Sequence, residues 1–220
     1  MSLPLPFRDQ YECRNETLEV YASDRRGLVE YRFNNLGYRN DIDYVDTEAN
    51  AGVFLGSSIT SSIGVEWNKS FVKLVSDSFK VEPYHFSQGC TKIDNNEILQ
   101  QIRCLKDNNF HPKFWVIQFI DLDRRFDSLS GQTTHCDNVA ENVQEFVDIF
   151  SQIESILVDQ TWCFFGCDNL SHSIPKHIIN HKNCLVWNPT FIDRAGVGNH
   201  PGSKWHQMLS LGIRKKLTNS

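Results

Sequence analysis

An α/β architecture, with a central parallel sheet of about five strands between layers of helices, is predicted by three observations. Short apolar runs of strand length recur from residue 51 onward. Most are followed by a segment whose apolar residues repeat at the period of a helix. One run, Phe114–Ile120, is apolar at every position but Gln118, the pattern of a strand covered on both faces.

The elements follow in order. Leu18–Ala22 and Leu28–Phe33 read as two short strands, with the turn-like Ser23-Asp24-Arg25-Arg26-Gly27 between them. Val53-Phe54-Leu55 is an apolar strand that ends at Gly56. Trp67, Phe71, Leu74, Val75 and Phe79 recur at helical spacing, and Val81–Phe86 alternates as a strand. Asp94, with Glu97 three residues on, forms a capping box that opens a helix carrying Ile98, Ile102 and Leu105 on one face. Val139, Val143, Phe146, Val147, Phe150 and Ile153 mark a long amphipathic helix. Thr161–Phe165 and Cys184–Trp187 supply further strands, and a closing helix runs from about Ser203 towards Lys215.

Composition sets the boundaries. The 220 residues are 40% hydrophobic and 22% charged, as in a globular chain with a core of its own. No apolar run approaches the ~20 residues of a membrane-spanning helix. The net charge of −5 argues against nucleic acid as a partner, because phosphate contacts need clustered Lys and Arg. Residues 1–50 hold ten acidic residues against six arginines and no lysine, which sets them apart as an N-terminal extension on a main domain of residues 51–220. Seven irregularly spaced cysteines do not make a disulfide framework. With no signal-like apolar stretch at the start, cytoplasmic synthesis is the expectation.

Ligands of an open parallel sheet bind beyond the carboxyl ends of its strands, so the chemistry is sought in the loops there. Gly56-Ser57-Ser58-Ile59-Thr60 follows the first strand, where a serine hydroxyl can project into the crevice. Asp193-Arg194-Ala195-Gly196-Val197-Gly198-Asn199-His200-Pro201-Gly202 leads into the closing helix. Pro201 biases His200 away from helical geometry, which makes it a loop histidine and a candidate general base. His206, further along, reads as a capping or packing residue. Cys163 and Cys167 with His172, His177 and His181 are metal-ligand types, but Thr161–Phe165 reads as a buried strand in which Cys is a small apolar residue; no metal is expected. Asp121 and Asp123 read as a solvated loop paired with Arg124 and Arg125, and Arg214-Lys215-Lys216 as favourable charge at a helix C-terminus.

Taken together, these segments resemble the SGNH/GDSL hydrolase family. Its opening motif, Gly-Asp-Ser-x-[Ser/Thr], is matched by Gly56-Ser57-Ser58-Ile59-Thr60 and continued by Ile63-Gly64-Val65. Upstream, Asn34-Asn35-Leu36-Gly37-Tyr38-Arg39 is similar to an Asn-x-x-Gly-[Phe/Tyr]-Arg segment found in a subset of these esterases, including carbohydrate acetyl-esterase relatives. The resemblance implies a flavodoxin-like three-layer α/β/α fold, Ser58 as nucleophile and His200 as general base. It also implies an oxyanion hole from the backbone N–H groups of Ser58 and of Gly89 or Cys90, and no cofactor. Two positions depart from the pattern. Val197 stands where the Asp of Asp-x-x-His belongs, and Phe119–Arg125 lacks the Asn of Gly-x-Asn-Asp. Loss of a triad acid costs about 10⁴ in rate, and loss of one oxyanion donor about 10²–10³. Asp193 is the candidate replacement for the acid, and Arg124 or Asn199 for the donor. The expected function is an esterase acting on acyl esters, acetyl esters among them, of a small molecule or carbohydrate. The alternative is a catalytically weak module of the same fold that binds glycans, for example in a virus particle.

Overall fold

The computed structural model describes residues 17–21, 28–34, 38–40, 50–87, 93–127, 132–166, 174–185, 193 and 200–219. Its centre is a parallel sheet of four strands: β3 (Ala51–Leu55), β4 (Glu82–His85), β5 (Phe114–Phe119) and β8 (Trp162–Gly166). The spatial order is β4-β3-β5-β8. Beyond β8, Cys184 makes one parallel bridge to Phe164, so the expected fifth strand is a single bridge within the described residues. Counting that bridge, the order is the doubly wound 2-1-3-4-5, and the switch point lies between β3 and β5.

Helices cover both faces. Along β5, Trp115, Ile117 and Phe119 face one cluster while Phe114 and Val116 face the other, because successive strand side chains alternate. The first cluster packs against α2 (Asn95–Asp107) and α3 (Val139–Ile156) through Ile98, Ile102, Leu105, Phe146, Phe150 and Ile153. The second packs against α1 (Phe71–Phe79) through Phe71, Val72 and Val75, and against the closing helix (Ser203–Thr218) through Trp205, Leu209 and Ile213. The three layers follow from these two apolar stripes, each about 100° wide or more.

The caps act where the sequence places them. Asp94 accepts from the Glu97 amide at 2.9 Å and opens α2. Its second oxygen takes the Phe126 amide at 2.8 Å, which ties α2 to the next segment. That segment corrects an expectation. The stretch after β5 is not a plain loop but an antiparallel hairpin, β6 (Arg124–Asp127) with β7 (Gln132–His135). Arg124 pairs with Asp121 as expected, whereas Arg125 pairs with Glu145 at 2.5 Å and Asp123 with His135 at 2.9 Å. A four-residue helix, α4 (Lys176–Ile179), precedes the Cys184 bridge, which makes the closing helix α5.

At the N-terminal side, β1 (Thr17–Tyr21) and β2 (Leu28–Arg32) form the expected antiparallel hairpin. Phe33 and Arg39 then bridge, and Asn34 Oδ1 accepts the Tyr38 amide at 3.0 Å. Asn40 donates to Pro83 O at 2.7 Å, joining this segment to the edge strand β4.

Candidate active site

The chain leaves β3 at Gly56 and turns sharply. A Cβ at Gly56 would lie 2.3 Å from Thr60 Oγ1 and 2.7 Å from Gln118 Cβ, at a φ of +157°. Only glycine lets the turn sit this close to the neighbouring strand. The turn is closed by the Ser61 amide on Ser57 O at 2.9 Å and the Ser62 amide on Ile59 O at 3.0 Å. Ser57, Ser61 and Ser62 are buried, at 5%, 4% and 0% exposure, whereas Ser58 is half-buried. Of the four serines, Ser58 alone is not buried.

The rest of this segment is held from outside. Arg39 is 4% exposed and donates to Ser61 O at 3.0 Å, Ser62 O at 2.5 Å and Val65 O at 2.5 Å. Its guanidinium lies 3.7 Å over the Tyr31 ring, a cation–π contact. The Tyr31 hydroxyl in turn accepts from the Gly64 amide. Arg39, the last residue of the Asn-x-x-Gly-Tyr-Arg segment, is therefore, with Tyr31, a brace under the serine turn.

On the other side of the turn lies β4. His85 is wholly buried, with Nδ1 3.0 Å from Arg39 O and Nε2 on the Ser87 hydroxyl. Ser87 Oγ is 2.7 Å from Ser61 Oγ. Burial is the main cause that pushes the His85 pKa down to about 4, so the ring is neutral near pH 7. The chain beyond Ser87 carries the expected oxyanion residues Gly89 and Cys90, which lie outside the described residues.

The closing helix completes this end of the sheet. Asp193 Oδ2 accepts the Lys204 amide and Oδ1 the Trp205 amide, each at 2.9 Å, while Asp193 O accepts the Gly202 amide at 3.0 Å. The Asp193 carboxylate thus caps α5, a partner that spacing alone did not indicate. Gly202 packs against it, since a Cβ there would stand 2.5 Å from Asp193 Oδ2. His200 is half-buried, two residues earlier. His206 behaves as expected of a packing and capping residue: Nδ1 accepts the Phe71 amide at 3.2 Å and the ring stacks on Phe71 at 5.6 Å. Burial, then the charges of Arg39 and His200, push the His206 pKa down to about 3. The first turns of α1 and α5 therefore meet, which puts Ser58 and His200 at the same, carboxyl, end of the sheet.

Sequence reasoning missed Gln118. Its Oε1 accepts from the Ser57 amide at 3.2 Å, the Thr60 amide at 3.1 Å and Thr60 Oγ1 at 2.6 Å, and its Nε2 donates to Ser57 Oγ at 3.0 Å. The available signal was its lone polarity in the apolar run of β5. It also missed Asn95, which bonds the Ile120 backbone at both N–H and C=O and fixes the exit from β5. Arg124, a candidate oxyanion donor, sits on Asp121 at 3.4 Å; Asn199 lies outside the described residues.

The remaining candidates are dispersed. Among the described residues no three His, Cys, Asp or Glu side chains are grouped to hold a metal ion. Cys163 is buried, which pushes its thiol pKa up, and His181 pairs with Glu154 at 2.8 Å. Cys167 and His172 lie outside the described residues. Lys216 anchors the end of α5 by donating to Lys182 O at 2.8 Å.

No family model matches the sequence, and no curated protein does. Solved structures do. An acetyl xylan esterase from the rumen bacterium Butyrivibrio proteoclasticus superimposes with a TM-score of 0.52 at 15% identity, over 80% of this chain and 66% of that one. A carbohydrate esterase family 2 enzyme with a carbohydrate-binding domain, from Corynascus thermopiles (Myceliophthora fergusii), gives 0.52 at 11%, over 90% and 74%. A family two carbohydrate esterase from Clostridium thermocellum, in complex with cellohexaose, gives 0.50 at 11%, over 84% and 68%. The chain spans about two thirds of the first of these structures, and the likeness is one of fold.

Proposed function

We propose that this chain, whose fold is that of an SGNH hydrolase, is a serine esterase that removes acyl groups, acetyl among them, from a carbohydrate or small-molecule ester. The observation that carries the reading is the half-buried Ser58 at the switch point of the sheet, beside three serines that are buried.

In this reading Ser58 Oγ attacks the ester carbonyl while His200 takes its proton. Negative charge gathers on the carbonyl oxygen and is met by the N–H groups of Ser58 and of Gly89 or Cys90. The intermediate collapses, the C–O bond to the alcohol breaks, and His200 returns the proton to the leaving oxygen. Water, deprotonated by His200, then frees the acyl group and Ser58. Asp193 is a positioning residue here: its backbone oxygen and its cap on α5 hold the chain two residues past His200. The carbohydrate reading is supported by the neighbour that binds cellohexaose.

A glycan-binding module without turnover is the second reading. It is favoured by Val197 in the acid position and by an Asp193 carboxylate engaged on two amides. Turnover of a short-chain p-nitrophenyl ester and of acetylated xylan by the wild type, lost in Ser58→Ala, is the expected result. No serine-dependent turnover on any acyl ester, together with retention on a glycan column, would establish the binding module instead.

A further inference from the structure

The four backbone amides of the turn Ser57–Thr60 are divided. Ser57 N–H and Thr60 N–H point inward and donate to Gln118 Oε1. Among the described residues, the Ser58 and Ile59 amides donate to no partner. A side-chain carbonyl has two lone pairs, so an oxygen that also takes Thr60 Oγ1 is a crowded acceptor. The cost of aligning those donors is met by burial: Gln118 is 0% exposed, and any amide left unpaired there would lose about 1–3 kcal/mol. The approach is also built into the main chain, since Gly56 is the position at which a Cβ would strike Gln118 and Thr60. Ser57 is the second partner. It stands where the resemblance places an Asp, and its hydroxyl is bound by Gln118 Nε2 at 3.0 Å. Ser57 is therefore part of the support and no rival nucleophile.

We infer that Gln118 is a positioning residue for the proposed reaction: it draws in the amides on either side of Ser58 and so presents the Ser58 hydroxyl and its own N–H together to the substrate carbonyl. The inference rests on the esterase reading. It concerns the central strand, 60 residues from the nucleophile in sequence, where no motif points. It also gives a physical reason for a polar residue inside an otherwise apolar buried strand, which costs stability unless every polar atom is satisfied.

Two variants test it, with Ser58→Ala as the blank. Gln118→Leu removes the hydrogen bonds to Ser57 and Thr60. Gln118→Glu keeps size and shape and makes the support titratable. With the carboxyl protonated, its C=O accepts the two amides and its O–H serves Ser57. Once ionised, it sets a buried anion beside the N–H that must stabilise the oxyanion. Two readouts serve: the rate at which a fluorophosphonate labels Ser58, found by mass spectrometry of the peptide, and kcat and KM for a p-nitrophenyl ester from pH 5 to 8. Gln118→Leu is expected to lower both labelling and kcat by tenfold or more with KM little changed. Gln118→Glu is expected to approach wild-type kcat in acid and to fall at least tenfold relative to wild type as pH rises. The ratio to wild type at each pH removes every titration the two proteins share from the comparison. A Gln118→Glu variant with a flat ratio overturns the inference, even if Gln118→Leu fails to fold. So does a folded Gln118→Leu variant that labels at the wild-type rate. A wild type that neither labels at Ser58 nor turns over an ester overturns the esterase reading itself, and the inference with it.

Discussion

Asp193 Oδ1 accepts the backbone amide of Trp205 at 2.9 Å, twelve residues on, and so makes an acidic loop residue the cap of the closing helix. A helix N-terminus presents unpaired N–H groups and a partial positive charge, and a carboxylate answers both. Asp193→Ala is therefore expected to destabilise the fold by about 1–2 kcal/mol, and Asp193→Asn by less, because the amide oxygen still accepts one N–H. Urea denaturation of the three proteins checks the order. If ester turnover falls in Asp193→Ala more than in Asp193→Asn, the residue acts by holding the chain near His200; an equal and large fall in both assigns the negative charge itself to the chemistry.

Arg39 is the brace whose removal costs most. It serves three backbone carbonyls at Ser61, Ser62 and Val65, and a truncated side chain would take the Arg39 donor from all three, leaving Ser62 O with the Val65 amide alone. Arg39→Ala is expected to cost about 3 kcal/mol or more and to lower ester turnover with it. Arg39→Lys should recover only part, because an ammonium cannot reproduce the planar fork. Thermal melts and turnover measured side by side on both variants decide this.

Gly56→Ala is expected to separate local geometry from global folding. The new methyl meets Thr60 Oγ1 and Gln118 at well under van der Waals distance, so the turn must move. Ester turnover should drop by more than tenfold, and far-UV circular dichroism should stay that of the wild type. Wild-type turnover in Gly56→Ala would show that the turn tolerates displacement.

Acid stability follows from two buried histidines. His85 and His206 have folded pKa values near 4 and 3, both below the unfolded value of about 6.5. Between these limits the unfolded chain binds more protons than the folded one, so stability falls as pH drops from about 6.5 towards 4 and is regained as pH rises. The melting temperature is expected to fall across that window by an amount worth several kcal/mol, and less steeply in His206→Asn. Equal slopes in the two proteins would show that His206 is not buried neutral.

Elements built on local period were legible in the sequence. The apolar strands, the amphipathic stripes of α2 and α3, and the Asp94 cap each depend on residues a few positions apart, where spacing alone says which side chains share a face. The serine-rich turn that follows β3 at Gly56 was legible for the same reason, since an apolar run that ends at a glycine marks where the strand stops. The hairpin β6–β7 was not. Its strands have little apolar alternation, and it is held by Asp94, Glu145 and Asn142 on helices before and after it. Nor was Gln118 legible as a support, because its partners lie 58 and 61 positions away. The same holds for Asp193, whose carboxylate found two amides of α5 where the sequence suggested the ring of His200. Hydrogen-bond partners across such distances are chosen when strands and helices pack, because only then does burial make an unpaired polar group costly and force each one to find a partner.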